Sequence, residues 1–149
     1  MFKHILLATD GSEASTHAAK LAVDLARTHG ARLTALYVVD PYPYLGIGEA
    51  NPTGFQAYMA AANEHAAQAH AAVAALCEES GKAGNPVELM LRVAEDVPAT
   101  QGILRTAQEE SADLIVVGSH GRSGLMRMVL GSVATKVVAQ SHVPVLVVR

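Results

Sequence analysis

Short apolar runs along this chain alternate with longer stretches in which apolar residues return every three or four positions. HILLAT (4–9) predicts a buried strand, and Asp10-Gly11-Ser12 a turn. Ala14, Ala18, Leu21, Ala22, Leu25 and Ala26 then keep helical spacing. Ser12 is placed to cap that helix and Gly30 to stop it. RLTALYVVD (32–40) predicts a second strand, and the Pro- and Gly-rich residues 41–54 a loop. From about Phe55 to Ser80 the chain is Ala-rich and free of Gly and Pro, which predicts a long helix ending near Gly81. PVELMLRV (86–93) predicts a third strand. Asp96 and Pro98 mark the start of a helix through ATQGILRTAQEE, with Ile103, Leu104 and Ala107 on one face and Gly102 against it. DLIVVGS (113–119) is a fourth strand, GSVATKVVAQS a helix with Ser132 as cap, and VPVLVVR a fifth strand.

The order is therefore β-α-β-α-β-α-β-α-β. LIVV and VLVV are apolar on both faces, as strands are inside a parallel sheet covered by helices on both sides. Right-handed crossovers then give an α/β fold, a three-layer sandwich around a doubly wound sheet. Ligands of such sheets bind beyond the carboxyl ends of the strands, where the strand order reverses.

Composition narrows the function classes. The 149 residues, 50% hydrophobic and 17% charged, fit a single globular domain spanning 1–149. A net charge of −3 with no Lys/Arg cluster argues against a nucleic-acid surface. The single cysteine, Cys77, excludes an internal disulfide and a thiolate metal cage, and reads as a packing residue. The N-terminal apolar run is too short for a signal peptide or a membrane span, and no other run reaches membrane length, so the expected compartment is the cytoplasm without membrane insertion.

The candidate chemistry lies at the exit of strand four, in GSHGRSGLMRMVLGSVATK (118–136). It is not a Walker A loop, because the positions five after Gly118 and Gly121 are Ser123 and Met126. Nor is it a dinucleotide fingerprint: the only G-x-G, Gly46-Ile47-Gly48, sits in the Pro-rich loop. Its physics still favours an anion. Gly118 and Gly121 leave room for backbone N–H groups to reach a ligand. Arg122 adds a cation, Ser119 and Ser123 add hydroxyls, and Gly131-Ser132 opens a helix whose first N–H groups attract phosphate. The nine residues between Gly121 and Gly131 are amphipathic enough to fold back and bring both ends together.

The pattern Gly118-x2-Gly121-x9-Gly131-Ser132 resembles the nucleotide motif of the universal stress protein family. HILLATDGSEAS, ALYVVD, SADLIVVGSHGRSGL and LGSVATKVV with VPVLVV extend the resemblance over nearly the whole chain. It implies a five-stranded parallel sheet of order 3-2-1-4-5, adenine-nucleotide alpha hydrolase-like, and membership of the ATP-binding branch that keeps these glycines. It carries adenine and ribose contacts to Ala8, Thr9, Asp10 and Val38. Phosphate contacts carry to Gly118, Gly121, Arg122, Ser123, Gly131, Ser132 and Val133, with Val117 at the strand end. The implied cofactor is ATP (or ADP or AMP) with Mg²⁺. No metal site is expected from the protein alone, and three roles are open to Asp10: holding ribose hydroxyls, taking a water-bridged Mg²⁺, or acting as base. RVAEDVPATQG departs from the family at the third-strand exit, where a glycine often precedes the acidic residue.

Catalytic residues are not expected. Asp10 has no acidic partner beside it, which also argues against a phosphoacceptor receiver domain, and Lys136 is placed to face away along its helix. His120 reads as an exposed loop side chain, His65 and His70 lack the i, i+4 spacing of a metal pair, and Met126 and Met128 read as packing. Two functions remain open: a nucleotide-dependent regulatory module in stress response, or a slow ATPase or phosphotransfer enzyme in the same pocket. The C-terminal strand 144–149 is an apolar edge that pairing with a second copy would cover, and the resemblance implies the same homodimer. The 41–54 loop is a candidate surface for an unknown protein partner.

Overall fold

The computed structural model describes residues 1–41, 52–121 and 129–149. The elements follow in the order β1 (His4–Ala8), α1 (Glu13–His29), β2 (Arg32–Val39), α2 (Pro52–Gly81), β3 (Leu89–Glu95), α3 (Ala99–Glu109), β4 (Leu114–Gly118), α4 (Ser132–Gln140) and β5 (Val145–Val148). All strand pairs are parallel, and the sheet order is β3-β2-β1-β4-β5, as expected.

The two-faced apolar strands bury alternate side chains in two separate layers. Ile5, Leu7, Leu33, Ala35, Leu114 and Val116 meet α1 and the carboxyl half of α2. The contact face of α1 is almost all alanine (Ala18, Ala19, Ala22, Ala26), so this helix lies close to the sheet. Leu6, Leu36, Ile115 and Val117 meet α3 and α4 on the other face, through Ile103, Ala107, Ala134 and Val137. Further along β2, Tyr37 and Val39 pack under Ala62, Ala66 and Ala69 of α2.

Local signals hold at α1. The Ser12 hydroxyl accepts from Ser15 N–H at 3.2 Å, and Gly30 closes the helix at φ 64°, in the left-handed region. Elsewhere the boundaries move. α2 starts at Pro52, within the stretch expected as loop, with proline in the first helical turn where its missing N–H costs nothing. β3 runs over 89–95 rather than 86–93, because its partner β2 pairs it from Leu33↔Leu89 to Val39↔Glu95. As an edge strand it is not buried on both faces: Leu91 and Val93 are about half exposed. Asp96 is not a cap. It takes φ 55° after β3, a conformation that Asp tolerates better than most side chains. Pro98 does stand at the cap of α3. Gly102 is buried, and a Cβ there would lie 3.0 Å from Val38 Cγ2.

At the amino ends of the strands a polar cluster ties β1, β2 and β3 to the end of α3. His4 Nε2 lies 2.8 Å from Thr34 Oγ1, Thr34 donates to Glu110 Oε2 at 2.7 Å, and Arg92 Nε is 3.1 Å from Glu110 Oε1. Cys77 is buried and its thiol is pushed up by that burial, as a packing residue requires.

The buried stripe of α2 includes one titratable group. His70 is 7% exposed, and its Nε2 has no hydrogen-bond partner among the described residues. Burial pulls its imidazole below the ordinary 6.5, partly offset by the backbone at Ala35 and Arg92. The native state thus prefers neutral His70, and the unfolded chain binds the extra proton first. The stability from this preference is full above about 6.5 and is lost as pH falls through the depressed native value. Urea unfolding at pH 7.5 and 5 is expected to show a smaller loss of stability for His70→Met than for wild type. Equal losses would show that His70 does not contribute to the acid sensitivity.

Candidate functional site

β1 and β4 are neighbours in the sheet, but their following helices leave to opposite faces. A cleft of about 590 Å³ opens above their carboxyl ends. Of the residues expected at the site, Ala8, Thr9, Asp10, Val38, Val117, Gly118, Gly121, Gly131, Ser132 and Val133 all line it. Arg122 and Ser123 lie outside the described residues, as do Gly124, Met126, Met128 and most of the 41–54 loop.

The floor is apolar, formed by Leu36, Val38, Ile103 and Val117. The first wall is the β1 exit. Thr9 continues the sheet by donating its N–H to Leu36 O at 2.9 Å, and its hydroxyl points to Ser15 Oγ at 3.4 Å. Asp10 folds back on its own turn: Oδ1 accepts the Ser12 N–H at 2.9 Å. The second wall joins the β4 exit to α4. Gly131 donates its N–H to Ser119 O at 2.7 Å, which sets the start of α4 against the GSHG turn.

The start of α4 corrects one expectation. Gly131, not Ser132, is the cap residue, and among the described residues no side chain caps it. Ser132 is the first helical residue. By helix geometry the first-turn N–H groups lack intrahelical partners, and Ser132, Val133 and Ala134 line the cleft at this positive end of the helix.

The glycines also read differently. A Cβ on Gly118 would meet the backbone of Ala14 at 3.0 Å, one on Gly121 the Asp10 carboxylate at 3.1 Å, and one on Gly131 Ser119 O at 2.9 Å. Gly11, beside the site, is at φ 78°. Gly118 and Gly131 are thus required by close approach of the protein's own segments. Gly121 alone faces the end of a movable side chain.

Sequence reasoning missed the third wall. Tyr58, Ala61, Ala62 and His65 of α2 stand over the carboxyl end of β2. Their spacing of three and four was visible, but which helical face meets the cleft was not. The Tyr58 hydroxyl donates to Asp40 O at 2.7 Å, and its phenol is raised by burial first and by the Asp40 charge second. His120, expected as an exposed side chain, is half-buried in the cleft wall with Nδ1 2.9 Å from Ser119 Oγ. Lys136 is exposed on α4, as its helical position implied.

A sequence profile described as the universal stress protein family matches residues 1–149. This chain belongs to the universal stress protein family. Universal stress protein MJ0531 of Methanocaldococcus jannaschii is 37% identical over 149 residues, covering 100% of this chain and 83% of that protein. The structure of universal stress protein UspA from Lactobacillus plantarum superposes with a TM-score of 0.80 at 28% identity, covering 99% of this chain and 97% of the other. A universal stress protein solved in complex with cAMP superposes with a TM-score of 0.61 at 26% identity, covering 99% and 97%. In this universal stress protein Gly118, Gly121, Gly131 and Ser132, on which its sequence resembles the family, lie in the two elements joined by the Gly131–Ser119 bond.

The glycine clearances give a stability test. Gly118→Ala drives a methyl group into backbone and is expected to cost roughly 1–3 kcal/mol. Gly121→Ala meets only a carboxylate end and is expected to cost less than half of that in the same urea titration. Equal costs would show that crowding by Ala14 is not what selects glycine at 118.

Proposed function

We propose that this universal stress protein binds ATP in the β1/β4 cleft and acts as a nucleotide-dependent regulatory module. One observation carries this reading. Two elements, the GSHG turn and the start of α4 with its first-turn N–H groups, are held together by a 2.7 Å bond at the rim of an apolar-floored cleft. Such a site suits a ligand with a flat apolar end and an anionic end. The adenine lies over Val38 against the exit of β1, and the phosphates meet Gly118, Gly121, Gly131, Ser132 and Val133. Arg122 and Ser123, which follow the turn in sequence, supply further phosphate contacts. The cAMP complex of a related protein supports the adenine-nucleotide class.

The Mg²⁺ comes with the nucleotide. Among the described residues no group of three or more His, Cys, Asp and Glu could hold an ion alone, and Asp10, which lines the cleft, would hold a nucleotide-bound ion through water. The nucleotide then biases assembly. β5 is a sheet edge of intermediate burial, and Val133 and Val138 of α4 are exposed. A second copy pairing at residues 144–149 covers this apolar surface and removes both edges.

Calorimetry with ATP and Mg²⁺ is expected to show binding, weakened at least about tenfold by Gly121→Val, which pushes the Asp10 carboxylate out of place. With no Trp and four Tyr, the protein absorbs little, so co-purified adenine is directly visible in its ultraviolet spectrum. No heat of binding from wild type would overturn the reading. Single-turnover phosphate release near the uncatalysed background is expected, and a rate well above it would make the protein an ATPase. Light scattering at micromolar concentration is expected to give twice the chain mass, and a monomer would remove the dimer.

A further inference from the structure

Ser119 is 2% exposed and stands where three elements meet. Its N–H donates to Val148 O at 2.7 Å, continuing the ladder in which Gly118 pairs with Val148. Its carbonyl accepts the Gly131 N–H at 2.7 Å. Its hydroxyl lies 2.9 Å from His120 Nδ1. Both backbone bonds are at the short end of the N–H···O range. They arise from the two peptide groups flanking one α-carbon, so both are set by the φ and ψ of Ser119. A Cβ on Gly131 would sit 2.9 Å from Ser119 O, so the start of α4 is seated on this peptide with no space to spare.

The geometry points to Ser119 as a positioning residue, through which the carboxyl end of β5 holds the first turn of α4 in place to receive phosphate. This rests on the nucleotide reading above and adds a regulation to it. Val148 does not line the cleft, yet the segment that forms the phosphate end depends on it. Free-energy coupling is reciprocal: a change that orders β5 tightens phosphate binding, and bound phosphate orders β5 by the same factor. The adenine end rests on β1 and β2 and stands outside this linkage.

The test compares the full chain with a chain lacking Val148 and Arg149, titrating each by calorimetry with MgATP and with adenosine. Removing the acceptor leaves a buried N–H unpaired, and the expected loss of ATP affinity is about tenfold. Adenosine affinity is expected to stay within about twofold, a split that general damage to the fold would not give. In the full chain, hydrogen exchange at the Ser119 amide is expected to slow with ATP and not with adenosine. Unchanged ATP affinity in the shortened chain, or an equal loss for both ligands, overturns the positioning role. If the shortened chain does not fold, Gly131→Ala decides with β5 intact: it displaces the helix start from Ser119 O and is expected to lower ATP affinity selectively, and unchanged affinity overturns the proposal. If the full chain binds neither ligand, the nucleotide reading itself fails and this inference falls with it. Binding by the full chain and equally by both variants removes the positioning role alone.

Discussion

The parallel pairing of β1 with β4 is the contact from which the site follows. Ile5, Leu6 and Leu7 run beside Leu114, Ile115 and Val116, every one of them buried, so both faces of the sheet are apolar at its centre. No polar ligand can be met there. Polar chemistry is confined to the strand ends, and at the carboxyl ends the chain must turn away from β1 to one face and from β4 to the other. Two segments that diverge from adjacent strands cannot fill the space between them. The cleft is the unavoidable gap of this topology.

Around the β4 exit the gap is bounded by closely packed backbone. Gly118 is pressed against the first turn of α1, and Gly131 against the β4 exit, so three segments approach to the limit of contact around one opening. Such crowding keeps N–H groups fixed in direction without the entropy of ordering long side chains. The denser polar cluster of the described residues, His4 with Thr34 and Glu110, lies at the opposite end of the sheet, where it ties strands to α3.

The two edges of the sheet differ in kind. β3 carries half-exposed Leu91 and Val93 and ends in a left-handed Asp96. β5 is short, and its last carbonyl is occupied by Ser119 N–H. The second edge is in hydrogen-bond contact with the β4 exit, through Ser119 and Val148.

The sequence by itself determined the number and order of the elements, because strand burial and helical spacing are local patterns set by what each face must meet. It also determined the two halves of the glycine motif and the caps Ser12 and Gly30, whose geometry needs only neighbours in the chain. The tertiary structure decided the rest. Whether Ser132 or Gly131 caps α4 depended on a bond to Ser119, twelve residues back. The bounds of β3 depended on β2, its partner in the ladder. The α2 wall with Tyr58 and His65 depended on how a long alanine-rich helix, nearly uniform on all sides, turns about its own axis. The reason for Gly118, Gly121 and Gly131 lay in other segments of the chain, and distance in space is the quantity that a linear pattern does not contain.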